Sequence, residues 1–73
     1  MFYIFGFYKF KKLKSLKKNK VILQKKIINK KVRGTIILSK EGINGTISGK
    51  IKNVNIIKNY LKNNFNFKRF DSQ

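Results

Sequence analysis

The sequence contains no cysteine and no histidine. Without cysteine it has neither a disulfide to staple a small core nor a thiol nucleophile. Without either residue it lacks the usual zinc ligands, and without histidine it has no imidazole base. Acidic residues are almost as scarce: Glu41 and Asp71 stand against 19 lysines and arginines. No apolar run approaches the roughly 20 residues that a bilayer-spanning helix needs. The longest, residues 1–8, also lacks the basic start and small-residue cleavage site of a signal peptide. On these letters very little can carry catalysis: no residue is a candidate catalytic group, and neither a metal site nor a membrane partner is expected.

What is abundant is positive charge, a formal +17 over 73 residues. Such a balance favours a polyanionic partner, nucleic acid ahead of an anionic membrane. Seventeen of the 19 basic residues are lysine, in a chain dense with Lys, Asn, Ile and Phe. An AT-rich genome also produces that composition, but the electrostatic consequence is the same. Twelve of the basic residues fall between Lys9 and Arg33, with no acidic residue among them to form neutralising i,i+4 pairs. Most of such a run is a solvated face. A face carrying that many cations nonetheless binds RNA with a steep salt dependence. The candidate phosphate contacts are Lys9, Lys11, Lys12, Lys17, Lys18 and Arg33. A chain of this length is one domain at most and buries only about 60% of the surface it exposes unfolded.

Taken in order, residues 2–10 (FYIFGFYKF) read as a strand buried on both faces and central in a sheet. A membrane-surface anchor is the alternative. Gly6 in its middle suggests a bulge or a close crossing. Residues 11–20 form a basic linker that turns into a helix, with Ser15 as N-cap. Leu16, Leu23 and Ile27 share a helical stripe, flanked by Val21 and Ile28, while Lys17, Lys18, Lys25 and Lys26 lie mostly outside it.

Residues 34–49, GTIILSKEGINGTISG, predict a hairpin with strands at 35–39 and 45–49. The loop 40–44 leads into an Asn44-Gly45 step. Ile43, Gly45, Ile47, Gly49 and Ile51 alternate with Asn44, Thr46, Ser48 and Lys50, a half-buried strand whose glycines admit a close helix. A second helix follows, with Asn53 as N-cap and Val54, Ile57, Leu61 and Phe65 on one face beside Tyr60. Asn63-Asn64 stops it, and a tail carries Phe65, Phe67 and Phe70 among Lys68 and Arg69.

The order strand, helix, strand, strand, helix is an α+β, ferredoxin-like split βαβ with a missing or vestigial fourth strand. The chain reads as a single N-terminal-type domain, 1–73, truncated at its C-terminal strand. Either residues 65–70 serve as a poor fourth strand or the sheet lacks one. In the second case residues 2–10 become an open edge, an aggregation hazard or a docking edge.

Tyr8-Lys9-Phe10, followed by Gly34-Thr35-Ile36, Leu38 and the run Glu41-Gly42-Ile43-Asn44-Gly45-Thr46-Ile47 with Gly49, resembles the amino-terminal domain of the tRNA uridine hydroxylase family. The resemblance covers nearly the whole chain but only the first part of a family member. It implies an acylphosphatase-like fold with a final strand after the second helix, then a rhodanese domain bearing the catalytic cysteine. It also implies a cytoplasmic enzyme that hydroxylates the wobble uridine of tRNA with molecular oxygen as co-substrate, this chain itself holding no cofactor. A rhodanese domain, or a separate chain carrying one, is then an expected partner alongside tRNA. The motif residues Glu41, Gly42, Ile43, Asn44, Gly45 and Thr46 would form a loop facing that domain.

Two activities of the shared topology do not fit the letters. An acylphosphatase needs an arginine and a phosphate cradle after its first strand, and residues 11–15 contain neither arginine nor glycine. An RNA-recognition motif carries stacking aromatics on its third strand, and residues 45–49 contain none, which argues against base stacking on the sheet as the main mode. Three readings remain: the tRNA-positioning front of a hydroxylase, a stand-alone basic RNA-binding module, and a remnant of a decayed gene.

Overall fold

The computed structural model describes residues 2–71. Met1, at the head of the apolar run, and the last two residues of the tail lie outside the described residues. The elements are β1 (Tyr3–Phe10), α1 (Leu16–Asn29), β2 (Arg33–Ser39), β3 (Gly42–Gly49) and α2 (Ile51–Asn64). The three strands form one antiparallel sheet in the order β1-β3-β2. This is the βαββα arrangement of a ferredoxin-type, acylphosphatase-like α+β fold.

Strand register explains the two faces. Phe5 lies opposite Ile47, Phe7 opposite Gly45, and Lys9 opposite Ile43; from the other side Leu38 lies opposite Ile43 and Ile36 opposite Gly45. Side chains directly opposite one another share a face. Phe7, Leu38, Ile43 and Ile47 therefore point together, and they form the core with Leu23 of α1 and Val54, Ile57 and Leu61 of α2. Ile47, Val54, Ile57 and Leu61 are fully buried. The helical stripe predicted for α2 is all in the core, Phe65 included. In α1 Leu23 is buried and Leu16 and Ile27 pack against the core, but Val21 and Ile28 are exposed.

Several local expectations are corrected. β1 is an edge strand among the described residues, and of its side chains only Phe7 is buried. It is not central because its second edge has no full strand beside it, and not buried on both faces because both helices lie on the same side. The register runs unbroken through Gly6, without a bulge. The hairpin turn is only Lys40–Glu41, and β3 begins at Gly42, so Asn44-Gly45 lies within a strand. Ile51 belongs to α2 and is exposed. The N-cap of α2 is Lys50, with Asn53 already inside the helix. Ser15 does occupy the N-cap of α1, but in the left-handed region (φ 54°, ψ 47°) and with no side-chain capping bond.

Glycine at position 45 admits a strand rather than a helix. A Cβ there would strike the Thr35 carbonyl and stand 2.9 Å from the Ile36 Cα. Gly34 has φ 125°, a conformation that L side chains rarely adopt, and a Cβ would meet the Thr46 carbonyl.

The tail partly answers the fourth-strand question. Residues 65–70 form no strand; Phe67 and Phe70 instead pack against the core. Phe70 lies against Phe5 (5.3 Å), Phe7 (5.0 Å) and Phe67 (5.1 Å between ring centroids). Lys58 lies 4.2 Å from the centre of the Phe5 ring, so a cation covers this aromatic cluster on its helix side. Asp71 then reaches the outer edge of β1 as an isolated antiparallel bridge to Tyr8. Its N–H donates to the Tyr8 carbonyl (2.8 Å), and its carboxylate accepts from the Phe10 N–H (2.7 Å) and from Lys9 Nζ (3.3 Å).

This packing is open to two tests. Gly34→Ala lowers stability by about 1–3 kcal/mol, read as a fall in the urea midpoint at unchanged slope. The second concerns Asp71, whose carboxyl is held below the usual aspartate range chiefly by the Phe10 N–H, with Lys9 assisting and desolvation opposing. Because the folded value is the lower one, the stabilisation is present above the ordinary aspartate range and is lost as pH falls through the depressed value. Amide exchange at Phe10, compared with Asp71→Ala at each pH, should show protection only on the high-pH side.

Candidate nucleic-acid interface

The basic linker is held by the hairpin turn. The Lys11 N–H donates to the Glu41 carbonyl (3.0 Å) and the Leu13 N–H to the Lys40 carbonyl (3.2 Å). The turn is braced in its own right, with the Glu41 N–H donating to Ser39 Oγ (3.3 Å). Leu13 is buried and Leu16 half-buried, so the linker is anchored by apolar side chains as well as by backbone. Asn19 completes the clamp. Its Nδ2 donates to the Lys14 carbonyl (3.0 Å), and its Oδ1 accepts from Asn64 Nδ2 at the end of α2 (3.1 Å).

This arrangement gathers Lys12, Lys14, Lys17, Lys18 and Lys40 around one shallow concavity, with Leu13 and Leu16 also lining it. Glu41 is the single carboxylate there. The ion pair found among the described residues, Lys9–Asp71, is elsewhere. Five ammonium groups around a concave surface attract phosphate by charge and by up to three N–H donors each.

Of the six sequence candidates, Lys12, Lys17 and Lys18 come together here. Lys9 does not: it faces the core side, pairs with Asp71 and stands 5.5 Å from the centre of the Phe67 ring. Lys11 contributes its backbone to the bonds between linker and turn. Arg33 lies in a second hollow, with Lys31 and Lys50. The motif residues also separate. Glu41 is in the turn, Ile43 is in the core, Gly42 and Gly45 are backbone positions within β3, and Asn44 and Thr46 point away from the helices. The expected six-residue loop is not formed, because a two-residue turn already reverses the chain.

Sequence reasoning passed over Lys14 and Lys40. Lys14 lay in the basic run and carried the signal. Lys40 had no local signal, since its place beside Lys12 depends on the hydrogen bonds between linker and turn. Among the described residues no three metal-ligating side chains cluster, and no helix is long and apolar enough to cross a membrane.

Residues 2–73 match the UPF0176 acylphosphatase-like domain. The chain belongs to this family. It is 56% identical over all 73 residues to a tRNA uridine(34) hydroxylase of Pelagibacter ubique, covering 24% of that protein. It is also 39% identical over 67 residues to the Wolbachia protein of the same name, covering 92% of this chain and 25% of the relative. A stretch of 28 residues is 64% identical to the Rickettsia canadensis tRNA uridine(34) hydroxylase, covering 38% of this chain and 11% of that protein. The chain thus spans about a quarter of the length of the curated relatives it matches along most of its residues. For this family domain, Asn19→Ala should cost about 1 kcal/mol and speed amide exchange in the linker relative to the centre of β3.

Proposed function

We propose that this chain is the tRNA-binding, N-terminal part of a tRNA uridine(34) hydroxylase. It contributes grip and positioning, while the oxygen-dependent conversion of uridine to 5-hydroxyuridine takes place on a rhodanese domain or a separate chain. The observation that carries the reading is the concavity of Lys12, Lys14, Lys17, Lys18 and Lys40, fixed in place by the bonds between linker and turn. A backbone held at both ends presents its cations in one geometry, so less ordering entropy is lost when phosphates bind. Phosphate contacts set register and orientation without reading sequence. The positions of Lys9 and Arg33 argue for a smaller phosphate set than charge alone suggested.

A stand-alone RNA-binding module is the second reading, supported by the same fact that ammonium groups read phosphate rather than bases. Equal affinity for tRNA and for unrelated RNA of equal length favours it.

The test is tRNA binding across a salt series. Replacing Lys12, Lys17 and Lys18 together by Gln should weaken binding and reduce the slope of log affinity against log salt by about 2–3, at roughly 0.7–0.9 for each phosphate no longer neutralised. A control triple at Lys20, Lys25 and Lys30 should change it far less. An equal weakening by the two triples would remove the concavity as the site.

A further inference from the structure

We propose that the open face of the sheet, opposite the helices, is a platform on which unpaired RNA bases stack, with Phe10 and Tyr8 as the stacking surfaces. This rests on the RNA-binding reading above and adds a base-contacting mode to it. The alternation along β1 places Ile4, Tyr8 and Phe10 on the face away from the core. Phe10 is 75% exposed and Ile4 71%, and Ile37 of β2 on the same face is 52% exposed. The Tyr8 and Phe10 rings meet edge to face, 5.4 Å apart at 66°. The exposed Phe10 ring, set edge to face against the half-buried Tyr8 ring, offers a planar surface that any base can use.

The surroundings select the occupant. Neither carboxylate among the described residues lies on this face: Glu41 is in the turn, and Asp71 is engaged by Lys9 and the Phe10 N–H at the strand edge. Cations flank the face at both ends. The lysine concavity adjoins the Phe10 end through the linker and turn, and Arg33, Lys31 and Lys50 line the hollow that includes Ile4. From Phe10 to Ile4 the strand runs about 20 Å, room for a few unpaired nucleotides. A single strand laid along it would place phosphates near the cations and bases on the rings. A neutral apolar protein surface would gain nothing from the flanking charge. β3 carries no aromatic residue, as its letters show; the rings that face outward belong to β1.

The experiment measures binding of the chain to a short labelled single-stranded oligoribonucleotide and to an RNA duplex of the same sequence, across a salt series. The variants are Phe10→Ala, Phe10→Leu, Phe10→Tyr and Tyr8→Leu, each checked for its fold by circular dichroism. Phe10→Leu keeps an apolar side chain if Phe10→Ala fails to fold. The expected result is a roughly ten- to hundredfold loss of single-strand affinity in Phe10→Leu. The salt slope and duplex binding should be unchanged, and Phe10→Tyr should retain affinity. Single-strand binding at the wild-type level in Phe10→Leu and Tyr8→Leu, with weakened binding in the Lys12/Lys17/Lys18 variant, overturns the platform and leaves the phosphate reading intact. Equal weakening on single strand and duplex also overturns it. Absence of wild-type binding to either RNA at low salt removes both readings.

Discussion

Everything in this structure depends on β3 pairing on both of its edges. Gly42–Gly49 donates and accepts backbone bonds to β1 on one side and β2 on the other. Its alternation sends Ile43 and Ile47 into the core and Asn44 and Thr46 to the open face. A slip of one residue would exchange those sets, exposing two isoleucines and burying polar groups without partners. Gly45 allows this double pairing because the Thr35 carbonyl and the Ile36 Cα occupy the space a side chain would need. The tight turn that leads into β3 then leaves the Lys40 and Glu41 carbonyls available to hold the lysine-rich linker.

Charge is managed by distance and by aromatic contacts more than by ion pairing. Nineteen cations face two carboxylates, so most have no opposite charge to meet. Several sit over rings: Lys58 over Phe5 and Lys26 over Tyr60, while Lys9, paired with Asp71, also stands over Phe67. The basic run of the linker and α1 is where cations are densest in the chain. A chain that repels itself in this way gains by binding a polyanion, which relieves the repulsion as it neutralises the charges. The concavity and the open sheet face would use that gain differently, one through phosphate and the other through base surface.

Much of the fold was legible. Hydrophobic period gave the order of elements, and for α2 every core position, because Val54, Ile57, Leu61 and Phe65 recur at helical spacing among polar residues. The helix starts were less legible. Ser15 and Asn53 are good capping residues by type, yet neither caps by its side chain, since Ser15 sits in the left-handed region and Asn53 lies within the first turn of α2. The hairpin loop was drawn too long because Asn-Gly is a strong turn signal; here pairing of Asn44 with both Tyr8 and Ile37 overrode it. Of the site, the linker lysines were visible as a charge run. Which of them converge was not visible, because convergence depends on contacts between residues far apart in sequence.

By itself the sequence determined the balance of charge, the exclusion of thiol and imidazole chemistry, the periodicities of the helices and of β3, and the family motif. These are properties of composition and of near neighbours, and they hold wherever the chain goes. Tertiary structure decided that, among the described residues, β1 is an edge strand with one open face, that Lys9 pairs with Asp71, that Arg33 lies apart from Lys12, Lys17 and Lys18, and that Lys40 joins them. Each of those outcomes depends on which backbone groups pair across the sheet and the turn. Local letters carry no record of such long-range pairing.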